Sequence, residues 1–598
     1  MTSAEPGGRA VRQYGGMSDG RSGGAWVALT VAFIAACMPG PRAPAPANPL
    51  ANVPRAWPLF DGAEEVSAAN GMVVSSHPLA SQVGTDIMRR GGNAVDAAVA
   101  VGFALTVVHA RAGNIGGGGF MVIRSSRGDV VTIDYREVAP AAATRDMYLD
   151  ARGRATDRSV LGHLAAGVPG SVAGMAEAHA RYGALPFSEV VRPAIQLARE
   201  GFIVDRLRSN SITQAADLLA RFPASASQYL PGGAAPSPGS RFVQPDLART
   251  LQSIADSGPR VFYEGYIADS IVAEMQRGNG IITKADLASY RPIWRDPIVV
   301  HYRGHVVYSM PPASSGGVTM AEILNVLEGF APLPAFGTPR HVHLLAEAMR
   351  RAFVDRNRLL GDPAFVDMPL RRLLSKRYAG ELRRQIQPVR ATPTPSFNGR
   401  FNEGHSSTTH YSIVDAQGNA VSVTTTLNSD YGSKVTVAGA GFLLNNEMDD
   451  FTAAPGQPNQ YGLVQGEANA IEPGKRMLSA MTPTIVLDPA GELLMVLGSP
   501  GGPRIITSVM QVISNVLDHG MRLRDAVAAP RVHHQSLPDE IVYEPGGLLP
   551  GTLARLERMG HTLRERNEYS GEITAIHRGR FGWIGVADPR GGGGAVGY

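Results

Sequence analysis

A serine followed directly by a threonine, Ser407-Thr408 in the run Gly404-His405-Ser406-Ser407-Thr408-Thr409-His410-Tyr411-Ser412, carries the most chemistry in this sequence. A threonine hydroxyl is a poor nucleophile without a base beside it, and a threonine that begins a chain brings its own base, the α-amine. That amine titrates at about 7.7 to 8.0, whereas an unperturbed lysine amine titrates at about 10.4. The bond between Ser407 and Thr408 therefore reads as a self-cleavage site that unmasks a catalytic threonine. The competing reading is a polar loop entering a strand, which describes most Ser/Thr runs.

The surrounding elements favour the first reading. Residues 409–415, the turn Ala416-Gln417-Gly418-Asn419 and residues 420–427 predict a β-hairpin, with Thr408 at the start of its first strand. Upstream, residues 77–90 and 93–108 read as consecutive helices parted by Gly91-Gly92, and residues 120–124 and 130–136 alternate as strands. Helical patterns dominate from about residue 170 to 384, with one strand pair near 298–309. Residues 387–407, rich in Pro, Ser, Asn and Gly, are expected to form the mobile tail of a large subunit. Beyond Thr408, strands at 482–488 and 492–497 precede a helix at about 503–517. Sheet segments flanked by helices on both sides of the cleavage point suggest an α+β, four-layer αββα sandwich.

At 598 residues and 44% hydrophobic content the chain can bury one large core or more. A formal charge of +4 without long Lys/Arg runs argues against nucleic acid as a partner. Residues 25–36 are apolar and follow Arg9, Arg12 and Arg21, as in a secretory signal, and fall short of the about twenty residues of a bilayer span. Ile34-Ala35-Ala36-Cys37 resembles a bacterial lipobox, in which Cys37 becomes the lipid-bearing first residue; the alternative is an incidental cysteine in a signal cut elsewhere. Met17 is an alternative start. Cys37 is the only cysteine, which excludes internal disulfides and a cysteine-based metal site. Residues 1–37 thus read as a signal peptide with lipobox and 38–58 as a flexible Pro/Ala-rich tether, giving an exported, periplasmic or cell-envelope enzyme lipid-anchored at Cys37.

Several further motifs occur together and in order: Arg89-Arg90-Gly91-Gly92-Asn93-Ala94-Val95-Asp96, Gly113-Asn114-Ile115-Gly116-Gly117-Gly118-Gly119-Phe120, Tyr135-Arg136-Glu137, Leu444-Asn445-Asn446-Glu447-Met448-Asp449-Asp450-Phe451, Gly498-Ser499-Pro500-Gly501-Gly502 and Asp588-Pro589-Arg590. With the Thr408 run they resemble the γ-glutamyltransferase (γ-glutamyl transpeptidase) family, from about residue 71 to 598. The resemblance implies an N-terminal-nucleophile hydrolase fold shared by a large subunit, 59–407, and a small subunit, 408–598, cut from one precursor. It also implies a γ-glutamyl group carried on Thr408 as an ester and delivered to water or to an amino acid or dipeptide amine.

The same resemblance assigns roles. Thr426 hydrogen-bonds the nucleophile, the backbone N–H groups of Gly501 and Gly502 receive the oxyanion, and Arg136 clamps the α-carboxylate of the glutamyl head. Asp450, assisted by Asn428 and Glu447, takes the α-ammonium at the opposite end. The loop from Pro455 to Val464 resembles a lid found in some members, with Tyr461 closing over substrate. One departure stands out: where the family commonly has two adjacent serines near the α-carboxylate, this chain has Ser479 and Ala480.

Other signals carry less. Gly116 to Gly119 lacks the Lys-Ser or Lys-Thr of a phosphate loop. The Gly-x-Ser-x-Gly matches near Ser18 and Ser22 lie in the leader. His533-His534 and the pair His341 and His343 lack zinc-protease spacing, so neither metal nor other cofactor is expected. The expectation is an autoprocessed γ-glutamyltransferase and glutathione hydrolase. Two alternatives remain: a glutaryl or cephalosporin-type acylase of the same fold, which would have no use for an ammonium pocket, and an inactive membrane-tethered binding protein.

Overall fold

The computed structural model describes residues 48–394 and 406–598; Cys37, the lipobox and residues 38–47 of the expected tether lie outside them. Among the described residues, two seven-stranded antiparallel sheets dominate the body from Pro49 to Tyr598. The first runs in the order Gly594–Gly597, Met72–Ser75, Ser406–Val414, Ala420–Ser429, Gly118–Arg124, Val130–Asp134, Ile293–Arg295. The second runs Val66–Ala68, Gly582–Ala587, Thr574–Gly579, Leu493–Gly498, Thr484–Leu487, His305–Ser309, Ile298–Tyr302. Each sheet contains strands from both sides of the Ser407-Thr408 bond.

Period-two alternation sorts the strand side chains into layers. Met72, Val74, Val122 and Val414 of the first sheet meet Ile485, Val496 and Ile576 of the second in a core between the sheets. Val73, Met121, Ile123, Tyr411, Ile413 and Val423 face outward onto helices, chiefly Ala94–Val108. That helix is apolar on every face, and all its residues are buried; Asn93 and Asp96 close its start with a capping box. On the other side Val307, Val486, Met495 and Leu497 pack against Gly316–Glu328, Pro339–Leu359 and Arg504–Leu517. The result is the αββα sandwich expected from the sequence.

Towards one end of the sandwich the inward positions of the central hairpin change from apolar to hydroxyl-bearing and imidazole side chains. Ser412 Oγ donates to the Thr574 carbonyl, Ser422 Oγ to the Leu497 carbonyl, and His410 Nδ1 pairs with Thr424 Oγ1 at 2.8 Å. Burial pushes the His410 imidazole down to about 3, so it is neutral at working pH. Thr408 and Thr426 continue this inward row.

Two sequence expectations require correction. The tether does not extend to residue 58: Val53 and Trp57 are buried, Trp57 Nε1 donates to the Ala528 carbonyl at 2.8 Å, and Asn52 Nδ2 donates to the Phe336 carbonyl. Pro/Ala content masked a short apolar set, Leu50, Val53 and Trp57, that joins the second-sheet core. Likewise, residues 387–394 are fastened rather than free. The Gln387 carbonyl meets His343 Nε2 at 2.7 Å, Thr392 N donates to Glu347, and Thr394 N donates to Asp539. His343, Glu347 and His561 bring ligand atoms within 4.8 Å of one another, a cluster the linear spacing did not suggest. Hydrogen bonds from Thr392 and Arg351 already occupy the Glu347 carboxylate, and His343 Nδ1 is paired with His561 Nε2 at 2.8 Å. Its evident work is to hold this segment. The rest of the expected tail up to residue 405 lies outside the described residues.

Candidate active site

Thr408 lies where the hairpin register breaks. Ser406 pairs with Ser429 and Thr408 with Thr426, so Leu427 and Asn428 together face Ser407 in a β-bulge whose extra residue is on the second strand, where Asn428 has a φ of +78°. The bulge turns the Ser407 carbonyl onto the hydroxyl of Thr426, which donates to it at 2.9 Å. Thr408 Oγ1 donates to Thr426 Oγ1 at 3.2 Å, and Asn428 N–H donates to the same oxygen at 2.8 Å. A proton path thus runs from the Thr408 hydroxyl through Thr426 to the carbonyl of the bond before Thr408. Ser407 Oγ anchors the bulge on the Arg111 carbonyl.

Gly501 and Gly502 precede the helix Arg504–Leu517, with φ of +134° and +57°. Both values lie where glycine is favoured. Neither N–H donates to an acceptor among the described residues, while their carbonyls accept from Arg504 and Ile505. Two free N–H groups beside a helix N-terminus form a site for negative charge. Gly502 shares a cavity with Thr408; Gly501 lines a second cavity on the threonine's other side.

The first cavity is small, about 20 Å³, and brings together Arg136, Thr408, Thr426, Asn428, Glu447, Asp450, Tyr461, Ser479, Ala480 and Gly502. Arg136 and its carboxylates, expected at opposite ends of a glutamyl head, touch each other here: Arg136 pairs with Glu447 at 2.7 Å and with Asp450, and Glu137 lies 3.6 Å away. Buried charges need counter-charges, and these satisfy one another. Burial opposes the Arg136 charge, yet the fields of Glu447, Asp450 and Glu137 raise its pKa. Burial pushes Glu137 up to about 8 and raises Glu447 and Asp450, against the pull of Arg136.

Tyr461 is buried, and its hydroxyl bonds the carbonyl and Oδ1 of Asn428 at 2.8 and 2.7 Å. The loop thus brings Tyr461 into the lining of the pocket. Ser479 accepts from Ser315 N and Oγ on its carbonyl, and its own Oγ accepts from Met481 N. Ala480 lines the pocket beside it without a hydroxyl.

Sequence reasoning missed Arg356. It is buried, with no carboxylate within ion-pairing distance among the described residues; Nε donates to Ser315 Oγ, and Nη1 to Asn357 and Gln465. Burial lowers its pKa to about 10, opposed by the field of Asp450. One signal was available: Val342, Ala346, Met349, Phe353 and Arg356 form the buried stripe of Pro339–Leu359, and a charge on such a stripe is out of place unless it has a task.

A threonine at the start of an inner strand of an αββα sandwich, with free N–H groups beside it, defines an N-terminal-nucleophile hydrolase. The chain belongs to the gamma-glutamyltranspeptidase family, whose model matches residues 80–598. It is 47% identical over 551 residues to the glutathione hydrolase proenzyme of Escherichia coli K12, covering 90% of this chain and 94% of that protein. It is 42% identical over 534 residues to an acylase ACY 1 proenzyme of Pseudomonas sp. SE83, covering 88% and 92%. Among solved structures, a cephalosporin acylase from Bacillus halodurans superposes with a TM-score of 0.79 at 30% identity, covering 94% of this chain and 99% of that one.

Proposed function

We propose that this protein is a self-cleaving γ-glutamyltransferase and glutathione hydrolase. The observation that carries the reading is the pairing of Arg136 with Asp450 and Glu447 beside Thr408: one cation and two carboxylates match an α-carboxylate and an α-ammonium. In maturation, Thr408 Oγ1 attacks the Ser407 carbonyl carbon while its proton passes to Thr426, whose own proton goes to the carbonyl oxygen. Collapse breaks the C–N bond, the nitrogen takes a proton, and water hydrolyses the resulting ester to give a large subunit ending at Ser407 and a small subunit 408–598 with a free threonine amine.

The mature reaction repeats the attack on a γ-glutamyl amide such as glutathione. The Thr408 amine takes the hydroxyl proton, and the N–H groups of Gly501 and Gly502 hold the oxyanion. The leaving amine then takes the proton. Water, or an amino acid or dipeptide amine, opens the ester. Arg136 orients the α-carboxylate with help from Ser479, Asp450 takes the α-ammonium with Glu447 and Asn428, and Tyr461 keeps the lid shut.

The test is p-nitroaniline release from a γ-glutamyl anilide and from its glutaryl counterpart, which lacks only the amine. Strong preference for γ-glutamyl is expected, since a buried carboxylate left without its cation is costly. Equal or reversed preference would assign the acylase reading, which the 42% identical relative named as an acylase keeps in view. The leader supports export with lipidation at Cys37; labelled palmitate should enter the wild type and not Cys37→Ala, and failure of labelling would remove the anchor.

A further inference from the structure

The cavity on the other side of Thr408, about 590 Å³, is lined by a carboxylate, Glu572, that no described residue pairs directly. Arg111 there is held by Asp430 at 2.8 Å, and Arg590 by Glu544 at 2.7 Å and Asp588 at 3.0 Å. Glu572 has neither a hydrogen bond nor an ion pair with any described residue. Its position is fixed from two directions. The neighbouring Gly571 packs against the oxyanion loop, its Cα 3.8 Å from where a Cβ on Gly501 would lie. Gly591 leaves room for the carboxylate, because a Cβ at that position would stand 2.4 Å from Glu572 Oε2. Arg111, whose field acts on Glu572, is also the residue whose carbonyl anchors Ser407.

An unpaired carboxylate in a partly desolvated cavity is a site for a cation with hydrogen-bond donors. Resting on the transferase reading, we propose that Glu572 binds the α-ammonium of the amino-acid or dipeptide acceptor and takes its surplus proton. The ammonium gives one proton to the carboxylate and becomes a nucleophilic amine. Its nitrogen then attacks the ester carbonyl on Thr408; the C–N bond forms, the bond from carbon to Thr408 Oγ1 breaks, and a second proton from the nitrogen ends on Oγ1. Burial raises the Glu572 pKa, opposed by Arg111 and reinforced by Asp588, which suits a group that must accept a proton. Water needs no such site, so Glu572 governs transfer more than hydrolysis.

The experiment compares transfer to glycylglycine with hydrolysis of the same γ-glutamyl anilide in the mature two-subunit protein. In Glu572→Gln the acceptor KM is expected to rise at least tenfold, and the transfer-to-hydrolysis ratio to fall at least tenfold. Gly591→Ala, which pushes the carboxylate aside without altering its chemistry, should lower the ratio in the same direction. Should Glu572→Gln fail to mature, Glu572→Ser reads the same quantity. A ratio within twofold of wild type in these variants, or equal loss of both reactions, overturns the role. Absence of any γ-glutamyl turnover in the wild type would instead overturn the transferase reading itself.

Discussion

Thr408 stands between two unlike spaces. On one side a cavity of about 20 Å³ holds Arg136 gripped by Glu447 and Asp450 beside Tyr461, and Arg356, which is hydrogen-bonded but has no ion pair among the described residues. On the other, a cavity of about 590 Å³ presents Glu572, which feels the field of Arg111 but makes no ion pair among the described residues. A substrate group entering the first must exchange one set of buried ion pairs for another, so a head lacking either charge strands its partner. A group entering the second meets fewer demands. On the proposed assignments, the donor side is built for stringency and the outer side for choice among acceptors.

The largest expected effect removes both sides at once. Thr408→Ala should stay a single chain on a denaturing gel and lose at least about four orders of magnitude in γ-glutamyl turnover, as loss of a covalent nucleophile does. Cleavage in that variant would mean another residue attacks Ser407. Next, Arg136→Lys keeps the charge but loses the planar fork, at about 1.5 to 3 kcal/mol for charge-assisted bonds. Donor KM should rise about tenfold to a hundredfold on that basis, with acceptor KM unchanged. A parallel rise in both would show that the two spaces are not independent.

Ala480→Ser restores a hydroxyl on the closed side. Donor KM should fall by about fivefold, the roughly 1 kcal/mol net worth of a typical hydrogen bond. No change would mean that Ser479 and backbone groups already satisfy the α-carboxylate. The smallest effect concerns pH. Glu137, raised from 4.5 to about 8, favours folding while protonated, so its contribution is complete below 4.5 and is lost as pH rises through about 8. Tm should decline across that window, and Glu137→Gln should flatten part of the decline; an unchanged slope would place the titration on other groups.

The hairpin around Thr408 was legible because strand alternation and the Asp415 to Asn419 turn are local patterns, and both strands appear at Ser406–Val414 and Ala420–Ser429. The tether was misjudged because composition averages over residues, whereas Trp57 needed only one cavity and one carbonyl to be fixed. Arg356 could have been suspected from its place on an apolar helical stripe. Glu572 could not: its neighbours give it no periodicity, and its lack of an ion pair among the described residues is a property of the space around it.

The sequence by itself determined the parts list and the local geometry: a threonine at a strand start, a glycine pair before a helix, and helices and strands in the order of a sandwich. These follow from backbone sterics and short-range periodicity, which act over a few residues. Tertiary structure alone decided which charges meet. Arg136 and Asp450 are 314 positions apart yet form one ion pair. Register and layer packing set the distances between such groups, and burial makes those distances count, because in a low-dielectric interior each charge is stabilised or stranded by whatever neighbour the fold delivers.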